Sequence, residues 1–252
     1  MDKTALCIDL HGVLVNTKLM IANYEQVLYK IYQKYGVTEK QASLYHNQGL
    51  KQFSNHIKKV KTQKLVGKKF LQEMDIGDKE WDRLMQSYIP APVTPELESR
   101  NIEFLAGSYA NTFYTDARNF LSEIQKISKF NPDFSFFIVS NSHTSHIKGI
   151  LNGGGFKDIN TARLLGWDVL ECLKSEERYF SKLSSIIDAN KKVLIGNSRN
   201  EMVLGKKAGF KTIFITREFS GEFDFENSVD LTFADLDNEI VSEIQKFIKD
   251  NH

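Results

Sequence analysis

Short runs of apolar residues alternate along this chain with longer segments in which apolar residues recur at helical spacing. Residues 5–8 form such a run, typical of a buried parallel strand, and it ends at a carboxylate, Asp9. Comparable runs predict further strands at 134–139, 162–165, 192–195 and 212–215. Strands and helices that alternate with short connections indicate an α/β fold with a parallel sheet, helices on both faces and right-handed crossovers.

The segment between the first two strands has a different character. Helical spacing dominates it throughout, and Thr38 with Gln41 is typical of a capping box at a helix start. Helical patterns at 53–60, 65–74 and 81–89 precede a proline-rich break, and a last helix is predicted at 96–109. We therefore predict an α/β core domain at 1–15 and 110–252, with an all-helical cap domain inserted at 16–109.

Composition narrows the classes of partner. The formal net charge of the 252-residue chain is +1, which gives no reason to expect nucleic acid or an acidic membrane. Cys7 and Cys172 lie far apart without metal-site spacing, as expected in a reducing compartment. Neither a signal peptide nor a membrane span is recognisable, so we expect a cytoplasmic protein. The oligomeric state stays open.

Polar side chains follow the predicted strands, and the strand ends of such a sheet meet at one crevice. Asp9 taken alone could simply cap the turn after the first strand. A carboxylate that attacks a phosphate dianion needs a cation to offset the repulsion, and Lys174 or a Mg²⁺ ion can supply one. The candidates are Asp9 and His11 after the first strand, Ser140 and Asn141 after the second, Lys174 before a helix, and Asn197 and Glu201 after the strand at 192–195.

Four segments carry motifs in a fixed order. They are residues 9–14 (DLHGVL), 138–141 (IVSN), 174–180 (KSEERYF) and 196–201 (GNSRNE) with Ala208-Gly209. Together they resemble the motifs of the haloacid dehalogenase-like superfamily, although the third segment lacks the family's prolines. The helical insertion is similar to the cap that many members carry after the first motif. The resemblance implies a sheet of five or more parallel strands with the nucleophile on the central strand.

The resemblance also implies roles for individual residues. In most members, though not in all, hydrolysis depends on Mg²⁺ and passes through an aspartyl-phosphate. Asp9 would then be the nucleophile and Lys174 the charge neutraliser, while Ser140 and Asn141 would hold the phosphoryl oxygens. The metal would contact Asp9, the backbone carbonyl of His11, Asn197 and Glu201.

Two positions depart from the family pattern. His11 stands where family phosphatases have the Asp that acts as acid and then base; an ordinary pKa of about 6.5 would let a histidine do both, and the alternative is a chain that has lost turnover. Asn197 replaces an Asp that usually contacts the metal, which should weaken binding; it could also cap the helix predicted to start at Ser198, and the two roles are compatible. Glu201 is one methylene longer than the Asp it replaces.

These observations favour hydrolysis of a small phosphorylated metabolite through an aspartyl-phosphate on Asp9, assisted by Mg²⁺. A metal-free hydrolase that attacks carbon is one alternative, and a catalytically silent ligand-binding or partner-binding protein is another.

The basic residues of the cap segment could bind an anionic substrate, or they could form a solvated helix face. We expect Tyr24, Tyr45 and Trp81 to belong to the core of the cap. The basic residues in question are His46, His56, Lys58, Lys59, Lys61 and Lys64.

Overall fold

The computed structural model describes residues 3–90, 92, 94–217, 219 and 226–249. The strands are β1 Thr4–Asp9, β2 Phe134–Val139, β3 Leu164–Leu165, β4 Lys191–Gly196, β5 Lys211–Ile215 and β6 Leu231–Phe233. The helices are α1 Thr17–Tyr32, α2 Glu39–Gln63, α3 Gly67–Gln86, α4 Ser99–Tyr109, α5 Thr115–Phe130, α6 Thr144–Gly153, α7 Trp167–Leu170, α8 Glu177–Ile186, α9 Arg199–Lys207 and α10 Asn238–Lys249.

The strands form one six-stranded parallel sheet in the order β3-β2-β1-β4-β5-β6. Strand β1 is central, and its last residue, Asp9, pairs with Val139 of β2. On the other side of β1, Ile8 pairs with Ile195 of β4. The predicted α/β class and the central position of the Asp9 strand are therefore confirmed, and the polar residues after β1, β2 and β4 lie at one sheet edge.

Strand β1 is buried on both faces, as its uninterrupted apolar run predicts. Leu6 and Ile8 belong to a hydrophobic cluster that includes residues of α5, α6 and α10. Ala5 and Cys7 belong to a second cluster, with residues of α8 and α9. Layers of helices on both sides thus fix the strand that ends in Asp9.

The cap has its own hydrophobic core. Helices α1, α2 and α4 and the end of α3 contribute to it, and Tyr45 lies fully inside it, as predicted. The predicted capping box is confirmed, because Thr38 and Gln41 bond reciprocally at the start of α2. The helical patterns at 53–60, 65–74 and 81–89 belong to only two long helices, with a break at Lys64 in the left-handed conformation. The gap between the patterns at 53–60 and 65–74 coincides with that break, whereas the gap between 74 and 81 lies inside α3.

Helix α4, which lies inside the predicted cap range, packs closely on α6 of the core. Glycines permit this approach: a Cβ atom on Gly149 would lie 2.2 Å from the carbonyl oxygen of Phe104. A Cβ atom on Gly107 would lie 2.8 Å from the backbone nitrogen of Ile150. The two backbones are therefore in contact, and α4 fastens the inserted helices to the sheet domain. The domain boundaries themselves stay a prediction.

Three local expectations differ from the structure. Asn197 does not cap α9, because that helix begins at Arg199 with Ser198 at its N-cap. Strand β6 was not predicted, since three residues at a sheet edge leave almost no pattern. Residues 162–163 form a 3₁₀ turn rather than the start of β3.

Both cysteines are free and buried. None of the helices in the described ranges is long and apolar enough to cross a lipid bilayer.

Candidate active site

The turn after β1 fixes the position of Asp9. Its Oδ1 atom accepts a hydrogen bond from the backbone N–H of Leu10 at 2.8 Å. Gly12 has a φ of +75°, which other residues adopt only with strain, and its N–H donates to the carbonyl oxygen of Val15 at 2.8 Å. The chain thus turns away sharply while the carboxylate stays at the end of the strand.

Lys174 joins the two acidic side chains of the site. Its Nζ atom lies 2.7 Å from Asp9 Oδ1 and 2.6 Å from Glu201 Oε1, and the lysine side chain is only 3% exposed. Burial alone would lower the pKa of Lys174, but the charges of Asp9 and Glu201 outweigh burial and raise it. The ammonium group therefore stays charged and offsets negative charge at Asp9.

Glu201 lies in the first turn of α9, next to the end of β4. Burial, together with the charge of Asp9, raises the pKa of Glu201 to about 7, although Lys174 opposes the shift. Its Oε2 atom is buried and has no hydrogen-bond partner among the described residues. A Cβ atom on Gly196 would come within 2.8 Å of this oxygen, so the glycine leaves it room. Glu201 thus keeps one oxygen for a proton or a ligand.

The loop after β2 lies beside Asp9. The hydroxyl oxygen of Ser140 accepts a hydrogen bond from the N–H of Ser142 at 3.1 Å, and Ser140 is fully buried. Asn141 accepts at Oδ1 from the backbone N–H of Lys174 at 2.7 Å, which ties this loop to the segment that carries the lysine. Because Asp9 pairs with Val139, Ser140 and Asn141 begin the loop next to the end of β1, and a serine hydroxyl and an asparagine amide can both donate to an oxyanion.

His11 lies beneath the same loop. Its Nε2 atom is 3.0 Å from Ser142 Oγ, and its Nδ1 atom is buried with no partner in the described part of the chain. Burial, with smaller contributions from His146 and Lys174, lowers the pKa of His11 to about 3. The expected near-neutral pKa is therefore wrong for this environment, and the imidazole is neutral at neutral pH.

A metal ion at this site would bind one carboxylate, that of Asp9, and neutral donors such as the amide oxygen of Asn197. Asn197 follows β4 at the same sheet edge, but its side chain makes no hydrogen bond to another described residue. Within the described ranges, no group of three His, Cys, Asp or Glu side chains is arranged to hold a metal. Magnesium often uses one or two carboxylates and completes its shell with substrate phosphate and water. The residues fit a magnesium ion held jointly with a substrate, with the unpartnered Glu201 Oε2 as a further acceptor.

A cavity of about 250 Å³ adjoins the loop after β2, between the cap and the core. Asn141 and Ser142, of that loop, are among the residues that line it. Most of the residues that line the cavity were not predicted from the sequence. Two features of the sequence could have indicated them: His46, Leu50 and Phe53 share one face of α2, and a run of polar residues follows Asn141. The lining residues are Met20, Ile21, Tyr24, His46, Leu50, Phe53, Asp78, Trp81, Ser99, Ile102, Glu103, Asn141, Ser142, His143, His146 and Trp167.

The basic segment of the cap faces solvent for the most part. Lys58, Lys59, Lys61 and Lys64 are exposed, and none of them lines the cavity. His56 bonds to Glu73 at 2.7 Å and to Glu80 at 3.0 Å, within the cap. Of the basic residues considered in this segment, His46 alone reaches the cavity, so the solvated-face interpretation holds for the lysines.

Comparison with known proteins identifies the architecture. Neither protein-family models nor curated proteins give a match. Among solved structures, YfnB from Bacillus subtilis, described as a HAD-hydrolase and bound to magnesium, is similar with a TM-score of 0.58 at 14% identity, over 97% of this chain and 99% of that chain. A HAD phosphatase from Thermococcus onnurineus gives a TM-score of 0.54 at 16% identity, over 97% of both chains.

An L-2-haloacid dehalogenase is equally similar. Its TM-score is 0.57 at 15% identity, over 93% of this chain and 96% of that chain. Phosphatases and dehalogenases thus stand side by side among the similar structures, and identities this low establish the fold alone. The chain has the fold of the haloacid dehalogenase-like hydrolases, a parallel α/β core with an inserted helical cap.

Proposed function

We propose that the protein hydrolyses a small phosphomonoester through a phosphorylated Asp9. The observation that carries the proposal is the contact of Lys174 with both Asp9, at 2.7 Å, and Glu201, at 2.6 Å, in a buried site. A buried carboxylate next to a fixed ammonium group can approach a phosphoryl group, because the cation offsets the repulsion between two anions. Ser140 and Asn141, which follow the strand next to β1, would donate hydrogen bonds to the phosphoryl oxygens.

In the first step, an oxygen of Asp9 forms a bond to phosphorus while the bond from phosphorus to the leaving oxygen breaks. The leaving oxygen then needs a proton. A bound phosphoryl dianion opposes the effect of burial on His11, because a nearby negative charge favours the imidazolium form. His11 would take up a proton together with the substrate and pass it through the Ser142 hydroxyl, 3.0 Å away, to the leaving oxygen.

In the second step, water attacks the phosphorus of the phosphorylated Asp9. The bond between phosphorus and Asp9 breaks, inorganic phosphate forms and the carboxylate returns. His11, neutral since the first step, takes up the proton lost by water through Ser142 and becomes an imidazolium again. Lys174 holds the Asp9 oxygen in place through both steps.

Magnesium would be held by Asp9, the backbone carbonyl of His11 and the amide of Asn197, with Glu201 nearby. When bound, it supplies additional positive charge to the phosphoryl oxygens. Because Asn197 is neutral where a carboxylate would add charge, we expect the free protein to bind the ion weakly and the substrate to strengthen binding.

The experiment is phosphate release from a panel of small phosphomonoesters, with Mg²⁺ or with a chelator, for the native chain and Asp9→Asn. The proposal expects release from at least one ester by the native chain, none by Asp9→Asn, and a loss of activity with chelator. No release from any ester, or undiminished release by Asp9→Asn, would refute it.

Attack on carbon is a second candidate, and one observation favours it. In the part of the chain that is described, no three charged or imidazole ligands gather around Asp9, so the site retains a nucleophile and a cation without a rich metal site. A single turnover in ¹⁸O-labelled water separates the two. Hydrolysis at phosphorus places the label in phosphate, whereas water that attacks the carbonyl carbon of an Asp9 ester places it in the Asp9 carboxylate.

A further inference from the structure

The cavity between cap and core adjoins the proposed catalytic site: Asn141 and Ser142 line it, whereas Asp9, His11 and Lys174 do not. Ser142 lines it and contacts His11, and Asn141 lines it and contacts the backbone of Lys174. A substrate whose phosphoryl group lies at Asp9 would therefore extend its other part into this cavity. The residues that line the cavity would then determine which leaving group the protein accepts.

Aromatic rings make up much of the wall. Tyr24 stacks on His46, with ring centroids 5.2 Å apart and planes at 26°. Tyr24 also meets His146 at 6.0 Å, and His146 in turn stacks on His11 at 6.0 Å. A ladder of rings thus runs from the catalytic loop to α2 of the cap. Trp81 and Phe53 form an edge-to-face pair farther along the wall, at 6.5 Å. Such surfaces favour flat aromatic ligands.

The charges of the cavity exclude anions. Among the described residues that line it there is no Lys or Arg, whereas Asp78 and Glu103 are both present. Arg100 lies behind them: it pairs with both carboxylates, and its guanidinium lies 4.7 Å above the ring of Trp167. Two carboxylates against one guanidinium leave a negative balance. His46, His143 and His146 add no compensating charge, because burial, named first among the causes for each, lowers the pKa of all three.

We propose that this cavity binds an aromatic group without negative charge, which is the leaving-group part of the substrate. That the bound group is the leaving group rests on the proposed function, whereas the preference of the cavity for such a group does not require turnover. Sugar phosphates, bisphosphates and phosphorylated acids would be excluded by the same surface, since they present hydroxyl-rich or anionic groups to apolar rings and carboxylates.

The two tryptophans of the chain, Trp81 and Trp167, both line the cavity, so intrinsic tryptophan fluorescence reports on it directly. Four probes without phosphate form a matched set: 2-phenylethanol, phenethylamine, phenylacetate and 2-cyclohexylethanol. We expect 2-phenylethanol and phenethylamine to change the fluorescence saturably, with the other two at least about tenfold weaker. Equal or tighter binding of phenylacetate or of 2-cyclohexylethanol, or no saturable binding by any probe, would overturn the proposal.

A pair of variants locates the effect. Leu50 and Leu44 lie on the same helix, α2, and each is 45% exposed, but only Leu50 lines the cavity. Leu50→Lys should improve phenylacetate binding relative to 2-phenylethanol, and Leu44→Lys should leave the ratio unchanged. The same ratio in both variants would contradict binding in this cavity. Because no probe carries phosphate, aromatic binding without any phosphate release from the ester panel would refute the proposed function while leaving the binding preference intact.

Discussion

His11 Nε2 and Ser142 Oγ lie 3.0 Å apart, and this contact connects a half-buried imidazole to the cavity between cap and core. If protons travel through this pair, Ser142→Ala should reduce kcat for an alkyl phosphomonoester. It should affect para-nitrophenyl phosphate much less, because that leaving group departs without a proton. General acid catalysis typically contributes about 10²–10⁴-fold, so a loss of about a hundredfold for the alkyl ester is expected.

Ser122→Ala is the matched control for Ser142→Ala. Ser122 is also half-buried, but it lies on α5 and bonds to the carbonyl oxygen of Arg118. The control should leave both substrates unaffected. Equal losses of kcat for the alkyl and para-nitrophenyl esters in Ser142→Ala would contradict a proton relay, and would point to a structural role of the hydroxyl in holding the loop.

The Lys174 contacts make a prediction about stability. Lys174→Met removes the cation between Asp9 and Glu201 and leaves two buried carboxylates uncompensated. The free energy of unfolding should fall by about 3–5 kcal/mol, as measured by denaturant titration. Adding Glu201→Gln to Lys174→Met should restore part of the loss, since one of the two charges is then gone.

The comparison for Lys174→Met is Lys206→Met. Lys206 pairs with Asp230 at the surface, where its side chain is 40% exposed. Such pairs contribute about 0–1 kcal/mol. If both substitutions lowered the free energy of unfolding equally, the Lys174 ion pairs would be as weak as a surface pair. That result would contradict a buried ammonium group held by two carboxylates.

His11 makes a prediction about pH. The pKa of His11 is about 3 in the folded chain, against an ordinary value of 6.5, so the unfolded chain binds a proton first as the pH falls. Stability is therefore lost as the pH falls from about 6.5 towards 3. His11→Asn should unfold with a smaller loss over this window, by up to about 1.4 kcal/mol for each pH unit.

His56→Asn tests the direction of the pH effect on stability, because the pKa of His56 is shifted in the opposite direction to that of His11. Burial acts to lower the pKa of His56, but Glu80 and Glu73 outweigh it and raise the pKa above 6.5. The stability that His56 contributes is thus present at low pH and is lost as the pH rises through its folded-state pKa. Unfolding curves of the two variants should diverge from the native chain in opposite pH directions, and parallel behaviour would contradict the assigned environments.

The contact between α4 and α6 makes a prediction about packing. Gly149→Ala would place a Cβ atom 2.2 Å from the carbonyl oxygen of Phe104, so the two helices must separate. Despite the higher helix propensity of alanine, the free energy of unfolding should fall by about 1–3 kcal/mol. In Gly77→Ala, on α3, the new atom meets the side-chain rings of His56 at 3.2 Å and Phe53 at 3.4 Å rather than backbone, and the cost should be smaller. A stabilised Gly149→Ala would contradict the contact.

Much of the sheet could be predicted because its evidence is local. The strand at 134–139 was predicted with the bounds of β2, since its apolar run stands between clear helical patterns. Asp9, Ser140 and Glu201 could be expected at one edge because parallel strands end together. Lys174 lies on a loop before a helix, and it was a candidate for its charge and for its place in the third motif; its contacts with Asp9 and Glu201 are seen only in the structure.

The environments of the same side chains could not be predicted. The low pKa of His11 depends on burial beneath a loop that begins more than a hundred residues later and on stacking with His146. The cavity combines residues from six separate segments of the chain, and no single segment carries its pattern. Asn197 was predicted as a metal ligand, with helix capping as the alternative because Asn often caps helices, but the N-cap of α9 is Ser198.

The most direct test of the central claim is mass analysis of the peptide that contains Asp9. The native chain is mixed with para-nitrophenyl phosphate and Mg²⁺, quenched with acid within one turnover and digested. The account predicts a peptide heavier by one phosphoryl group, with the modification on Asp9 and its absence in Asp9→Asn. Release of para-nitrophenol and phosphate at full rate, with no modified Asp9 at any quench time, would contradict attack by this carboxylate.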